Sequence, residues 1–402
     1  MRLKKLIYFL FLFISPIVAN ANSVNELKIF KLNDPDPAVR KAAVFYLSQT
    51  GDPTYIPKFC EILLNDKSEE VRAAAADGLG NFDDKRAEDC LLKALKKEKS
   101  EKVKESIVSA LVDFDDKKVG KLMCKLVDSK NPNIKRYALM ALLQYKGLCD
   151  KKIFKLLKQE STNDLRTKFA EILGVHQYKQ AKNYMEKLLN SKKDEDKLVA
   201  LTYFKYYPTG DIVPKLEEIL TKSTNEDLKS LAFDALIATD HENAYKLIKK
   251  LLIKPSFKKK FALRLATIKT NLPPSVINSL INDSDDITKI ALLTYIGKHK
   301  LTNYCDFIEK NVYSKSSDVQ AAAIWALGQV DCKDSVKILY ELITNLELDD
   351  TIRENAAIAL ANLNPEELKK NVKLIKKAYD NEIFDDIKDI LEKALKKAQQ
   401  KN

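Results

Sequence analysis

The 402-residue chain reads as an all-α protein, an α–α superhelix (solenoid) of about twelve helical hairpins, on three observations. An anchor position recurs every 29–35 residues, at Val39, Val71, Val103, Ile134, Leu165, Lys197, Leu228, Lys258, Ile287, Val319, Ile352 and Ile387. After each anchor, apolar or small residues follow at about four, seven and eight positions, as with Ala75, Gly78 and Leu79 or Ala356, Ala359 and Leu360. That spacing gathers them on one stripe of a helix. Finally, the chain has only nine glycines and sets its β-branched residues at helical spacing, so no segment favours a strand.

The first helix of each hairpin carries a start signal. Ser68-Glu69-Glu70, Asn163-Asp164, Ser284-Asp285-Asp286 and Ser316-Ser317-Asp318 each precede an anchor, and Asn131-Pro132 is the variant with proline at the first helical position. Such side chains accept from free backbone N–H groups, and first-turn acids suit the helix dipole. Turns such as Gly51-Asp52-Pro53 and Asn81-Phe82-Asp83-Asp84 end the first helix. A second helix follows, with stripes such as Ala87, Leu91 and Leu95 or Val336, Leu339 and Ile343. One hairpin cannot bury both stripes, so it must stack on its neighbours. The small residues of the first stripe let those neighbours approach closely.

Some units depart from the pattern. The sixth and eighth carry Lys197 and Lys258 at the anchor. Pro255 and Pro273-Pro274 flank the eighth, which marks 253–275 as an irregularity or hinge within a solenoid running over 22–402. The last unit, 380–398, shows a single lysine-rich helix suited to capping the stack.

The runs Asp34-Pro35-Asp36-Pro37-Ala38-Val39-Arg40-Lys41-Ala42-Ala43 and Val319-Gln320-Ala321-Ala322-Ala323-Ile324-Trp325-Ala326-Leu327-Gly328 resemble HEAT repeats. More closely, they resemble the short HEAT-like repeat of phycobilisome lyases. The resemblance covers nearly all of the chain beyond its amino terminus. It implies a solenoid whose second helices line the concave side, and its motif residues mostly pack the stack. The lyase branch implies bilin attachment or isomerisation as an enzymatic alternative, which a secretory signal opposes.

Arg2, Lys4 and Lys5, the apolar run Leu6–Ile14 and Ala19-Asn20-Ala21 follow the order of a secretory signal peptide over 1–21, cut after Ala21. A retained amino-terminal anchor is the rival, although the apolar run is short for a span. The expected location is the periplasm or the exterior. Removing 1–21 leaves 66 basic and 57 acidic residues, a net charge of +9. Only eight basic residues in the whole chain are arginine, the usual choice for gripping phosphate, so nucleic acid is disfavoured as a partner. Lysines cluster in the second helices of the third to fifth units, at Lys121, Lys125, Lys151, Lys152, Lys155, Lys179, Lys182 and Lys187. If those helices line the concave side, they form a basic groove able to hold an acidic protein, an anionic envelope polymer or a lipid surface. A merely solvated lysine face is the plainer reading.

Six cysteines in an exported chain invite disulfides. Cys305 and Cys332, isolated from the others in adjacent units, are the natural pair. Cys60, Cys90 and Cys124 recur in consecutive second helices, where a spacing of about 10 Å argues against bonding. No Cys-x-x-Cys suggests zinc or redox chemistry. His176, His241 and His299 fall in the turns of alternate units, too far apart to share a metal. The HEAT-like di-iron hydroxylases need several His-Glu pairs, and His241-Glu242 stands alone. There is no phosphate loop or nucleophile elbow, so no catalytic residue, metal or cofactor is assigned.

Arg40, Arg72, Arg166 and Arg353, each one residue after an anchor, read as structural partners of acids in the adjacent unit. In Tyr203-Phe204-Lys205-Tyr206-Tyr207-Pro208, Phe204 reads as core, while Tyr206 and Tyr207 near the turn are candidate interface anchors. Trp325 reads as packing. The function expected is an exported, non-catalytic scaffold or adaptor that binds another protein over an extended surface; electrostatic docking to an anionic polymer or membrane is the alternative.

Overall fold

The computed structural model describes residues 31–268, 270–282 and 285–399, and the amino-terminal segment read as a signal lies outside them. The described residues form 24 α-helices, short 3-10 turns and no strand. They fall into two compact units, one ending at Tyr207 and one beginning at Pro208.

In the first unit the anchor-bearing first helices are α1 (Pro37–Ser48), α3 (Glu69–Leu79), α5 (Glu101–Ala110), α7 (Pro132–Leu142), α9 (Asn163–Val175) and α11 (Asp194–Tyr206). The second helices between them are α2 (Ile56–Asn65), α4 (Lys85–Leu95), α6 (Lys117–Leu126), α8 (Asp150–Gln159) and α10 (Lys182–Leu189). Two of the start signals act as read, since Ser68 accepts from the Val71 N–H and Asn131 accepts from Asn133 and Ile134; Ser316 makes no such bond, and Asn163 lies inside α9, whose cap is Thr162. The stripes are buried, with Val71, Ala75, Ala76 and Leu79 all at zero exposure.

The second unit repeats the scheme. Its first helices are α13 (Glu226–Ala238), α15 (Pro255–Ala262), α17 (Asp286–Lys298), α19 (Ser317–Leu327) and α21 (Asp350–Asn362). Its second helices are α12 (Val213–Lys222), α14 (Glu242–Leu251), α16 (Pro274–Ile281), α18 (Cys305–Asn311) and α20 (Ser335–Thr344). Two further helices, α22 (Pro365–Lys370) and α23 (Val372–Asn381), lead to α24 (Asp385–Gln399), which packs Ile387, Leu391, Ala394 and Ala398 against the stack.

Burial corrects the register of two anchors, Lys258 and Ile287. Around Lys258 the core residues are Phe261, Ala262 and Leu265, which makes Phe257 the anchor, its ring 5.8 Å from Phe233. Ile287 is 39% exposed and its neighbour Thr288 is buried in its place. Lys258 is therefore not an anchor and lies one residue out of phase with its stripe. Around Lys197 every residue from Val199 to Phe204 is buried, Leu201 and Phe204 of the expected stripe among them. Pro255 and Pro274 occupy first helical turns and start α15 and α16, with a 3-10 turn at Leu265–Thr267 between them.

The first helices lie closest together where their small residues meet. A Cβ on Gly80, at the end of α3, would sit 2.9 Å from Ala110 Cα of α5. One on Gly328 would sit 2.6 Å from Ala359 Cα of α21. In the first unit most successive first helices abut, whereas the pairs α4–α6, α6–α8 and α8–α10 scarcely touch. A two-layer stack bends toward its more tightly spaced layer, so the first helices, rather than the second, form the inner side of this unit.

Candidate functional site

On α1, Val44 and Leu47 turn into the core, which leaves Phe45 and Tyr46 pointing out, 58% and 55% exposed. Their rings meet edge-on at 5.6 Å. Facing them, α3 presents Ala73, Ala74 and Gly78, and α5 presents Ser106, Ser109 and Ala110. Together they bound an open groove of about 750 Å³ on the inner layer, walled by aromatics and floored by small residues. Two cations and two acids line it, Lys41, Lys102, Glu70 and Asp77. Lys102 Nζ lies 3.2 Å from Glu70. The Glu70 carboxyl is held down to about 2 by its own backbone N–H, the Ser68 hydroxyl and Lys102. The groove is therefore nearly neutral.

Each hairpin behind the groove is braced by its arginine. Arg40 holds both Asp66 oxygens at 2.8 Å and donates to the Asp34 carbonyl at 2.8 Å. Arg72 does the same with Glu98, at 2.9 and 3.0 Å, and with the Asp66 carbonyl at 2.9 Å. Both acids sit in the turn after the hairpin's second helix, where they also accept backbone N–H groups. Burial pushes the Glu98 carboxyl up, but hydrogen bonds from Arg72, Ser100 and Lys99 and the Arg72 charge outweigh it, and the group lies below its ordinary value. Asp66 is lowered in the same way: burial raises it, and Arg40 and the Ser68 N–H more than reverse that. Arg166 pairs with Asp196 at 2.5 Å and Arg353 with Glu382 at 2.6 Å.

All six cysteines are bonded, Cys60 to Cys90, Cys124 to Cys149 and Cys305 to Cys332, with Cα–Cα distances of 5.8, 5.6 and 5.6 Å. The expectation that helix spacing would keep Cys60 and Cys90 apart fails for a geometric reason. Axes about 10 Å apart bring Cα atoms on facing sides to about 5.4 Å, since each helix has a Cα radius of about 2.3 Å. That distance is within disulfide reach.

The eight lysines fall on the second-helix layer or its entry turn, the outer side of the unit, and do not line the groove. Lys121, Lys125, Lys151, Lys155, Lys179 and Lys187 are exposed, while Lys152 pairs with Asp128 at 3.0 Å and Lys182 with Glu186 at 3.4 Å. Tyr207 is half-buried, stacked on the fully buried Tyr203 ring at 5.1 Å. Tyr206 is half-buried too and packs beside Gly174.

Sequence reasoning missed Phe45 and misread Trp325. The position six residues after the anchor points out of the first-helix layer, and it is Asp77, Ser109, Glu171 or Asp234 in several units. Elsewhere it is apolar. In the first unit Phe45 and Met140 occupy it, 58% and 49% exposed; in the second, Leu263, Trp325 and Ile358, at 63%, 41% and 42%. Trp325 lies over Gly297 and is a surface residue rather than core. A bulky apolar residue at a position that is otherwise polar was the available signal.

The histidines brace turns. His176 Nδ1 lies 2.5 Å from Asp150 and its Nε2 lies 2.8 Å from the Leu142 carbonyl, both buried. His299 faces Asn271 and the Ile268 carbonyl, and His241 accepts from the Asn243 N–H as the cap of α14. Among the described residues no three His, Cys, Asp or Glu side chains cluster as metal ligands, and no helix is long and apolar enough to cross a membrane.

Hairpins stacked in two layers, with an open groove along one of them, make the protein an α-solenoid. The chain belongs to the HEAT-repeat family, whose repeat pattern matches residues 56–144, 273–361 and 305–396, together more than half of it. Among solved structures it is similar to yeast importin-beta (Kap95p), at 12% identity and a TM-score of 0.54 over 94% of this chain and 62% of that one. The Kap95:Nup1 complex is similar at 13% identity and a TM-score of 0.51, with the same coverage. Kap121p gives 11% identity and a TM-score of 0.41. The chain spans 49% of the length of Kap121p and 62% of importin-beta. No curated protein matches it in sequence. At these identities the likeness is one of fold.

Proposed function

We propose that this protein is an exported, non-catalytic scaffold that holds another protein against its first-helix layer, with the groove of α1, α3 and α5 as the principal contact. One observation carries the reading: Phe45 and Tyr46 stand side by side in water, more than half exposed, over a floor of alanine and glycine. Exposed aromatics beside a concave apolar surface gain free energy when a partner buries them, and such rings are frequent interface anchors. The Kap95:Nup1 complex supplies a protein complex on the same fold. Export is supported by the charged, apolar and small-residue order of residues 1–21 and by three disulfides, which persist in oxidising compartments.

The test places a photo-crosslinking residue at Tyr46 in one chain and at Lys155 in another, each irradiated in envelope extract at low and high salt. The expected result is one defined protein adduct from position 46 at both salts, because a nearly neutral groove is little affected by screening. Absence of an adduct at 46 under both conditions rejects the docking site.

The six exposed lysines on the outer layer support a second reading, electrostatic docking to an anionic envelope polymer or lipid surface. Adducts from position 155 alone, formed at low salt and lost at high salt, would move the assignment there.

A further inference from the structure

We infer that one edge of the second unit is a self-association surface, on which two copies of this chain pair antiparallel about a two-fold axis. The groove belongs to the first unit, and the inference does not depend on it. The first helices α15, α17, α19 and α21 pack in succession. Each is entered by a turn from the preceding second helix, so the four entries lie side by side along one edge of the stack. Every one of them sets an apolar side chain in water. Ile253 is 82% exposed, Ile287 39%, Tyr313 58% and Leu346 68%. Ile383 and Phe384 continue the row where α24 begins.

The corresponding turns of the first unit, at 66–68, 96–100, 128–131, 160–162 and 190–193, contain only polar residues. Bulky apolar residues at a place that other hairpins keep polar gain free energy when a partner covers them. The register slip at Ile287 belongs to this pattern, since it brings that residue to the surface beside the others.

The charges beside the row identify the partner. The entry at Ile253 is basic: Lys249, Lys250 and Lys254 are exposed, and no acid occurs from Asn243 to Asn282. The entry at Ile287 is acidic, with Asp285 and Asp286 against Lys289. At Tyr313 it is basic again, with Lys310 and Lys315 against Asp318. At Leu346 it is acidic, with Glu347, Asp349 and Asp350 exposed and no basic residue from Ile338 to Ile352. The signs along the edge therefore run plus, minus, plus, minus. A second copy rotated by a half-turn presents them in reverse and meets the opposite charge at all four places. The same rotation sets Ile253 opposite Leu346 and Ile287 opposite Tyr313, each pair occurring twice. A surface complementary to itself in this way closes as a two-fold dimer. An anionic lipid surface fits only half of the edge, because it would repel Asp286, Glu347 and Asp349. Four hairpins at about 10 Å each, across two layers about 20 Å deep, present about 800 Å² per copy. That is the usual share of one partner in a stable complex.

The test is sedimentation equilibrium of the purified chain, with charge reversals at opposing turns. Lys254→Glu brings like charges together at both copies of its contact, and so does Glu347→Lys. Each variant alone is expected to weaken the dimer at least about tenfold. In an equimolar mixture the two variants meet with opposite signs at both contacts, so the dimer is expected to return as a heterodimer. Ile253→Ser and Leu346→Ser, both at exposed positions, should weaken it as well, while Lys155→Glu in the first unit should leave it unchanged. A chain that stays monomeric at about 100 µM overturns the inference. A dimer insensitive to both reversals places the interface elsewhere and overturns it too. A monomer that binds phosphatidylglycerol vesicles through Lys254, and more tightly after Glu347→Lys, would assign the edge to a membrane instead.

Discussion

Arg353 is 2% exposed, yet it carries a full charge into the core of its hairpin. It is tolerated because every direction is answered: Glu382 at 2.6 Å, the Ile343 carbonyl at 2.9 Å and Asp350 at 3.2 Å. Removing one member of such a pair strands the other, so Arg353→Met is expected to cost about 3–5 kcal/mol in urea unfolding. The pairs nearer the surface set the acid response. Asp66 and Glu98 have folded pKa values below their unfolded ones, so their contribution is complete above the ordinary carboxylate range and is lost as pH falls through the folded values. The stability gap between the native chain and Arg72→Met should therefore be largest at neutral pH and shrink in acid. A gap that stayed constant down to pH about 3 would contradict the Glu98 assignment. Trp325, the only tryptophan, gives a direct optical check. At 41% exposure its fluorescence should be readily quenched by acrylamide, whereas a packed indole would resist.

Among elements, the distinction that matters is between the two helix layers. First helices carry alanine and glycine where they meet, so backbone approaches backbone, and the inner side is tight enough to form a groove with a smooth floor. Gly328→Ala tests this contact. Its added methyl would lie 2.6 Å from Ala359 Cα and 2.7 Å from that residue's carbonyl oxygen, neither of which can swing aside. The expected cost is about 1–3 kcal/mol, read as a lowered thermal midpoint. Helix boundaries were largely legible in the sequence because caps are local: Ser68, Asn131 and Asn225 each accept from N–H groups two or three residues ahead. The layer assignment was not local. The family resemblance implied second helices on the concave side, and only the relative spacing of the packed layers reversed it.

For the whole molecule, stacking makes each hairpin depend on its neighbours, so disulfides that join hairpins should raise stability. The Cys60–Cys90 bond closes a loop across a sequence separation of 30. Its loss is expected to cost about 3–4 kcal/mol on a chain-entropy basis. Amide exchange should accelerate first in α1 and α2, and acceleration confined to the second unit would argue against this placement of the bond. The candidate site was only half legible in the sequence. Lys121, Lys155 and Tyr206 stood out by type, but Phe45 looked like one more apolar residue in an apolar helix until burial showed which neighbours faced inward. Lys258 and Ile287 show the same limit, since a slip of one residue turns a side chain by about 100° around a helix and exchanges core for surface.

By itself the sequence determined the all-helical class, the hairpin repeat, the helix starts and the arginine positions, because each depends on periodicity or on contacts within a few residues. The tertiary structure decided which layer is inner, which cysteines meet, that Trp325 lies outside, and that Phe45 and Tyr46 overlook a floor of small residues. Those facts depend on distances between helices some thirty residues apart in sequence. A stack fixes such distances through the combined shape of many side chains, and no single spacing along the chain encodes them.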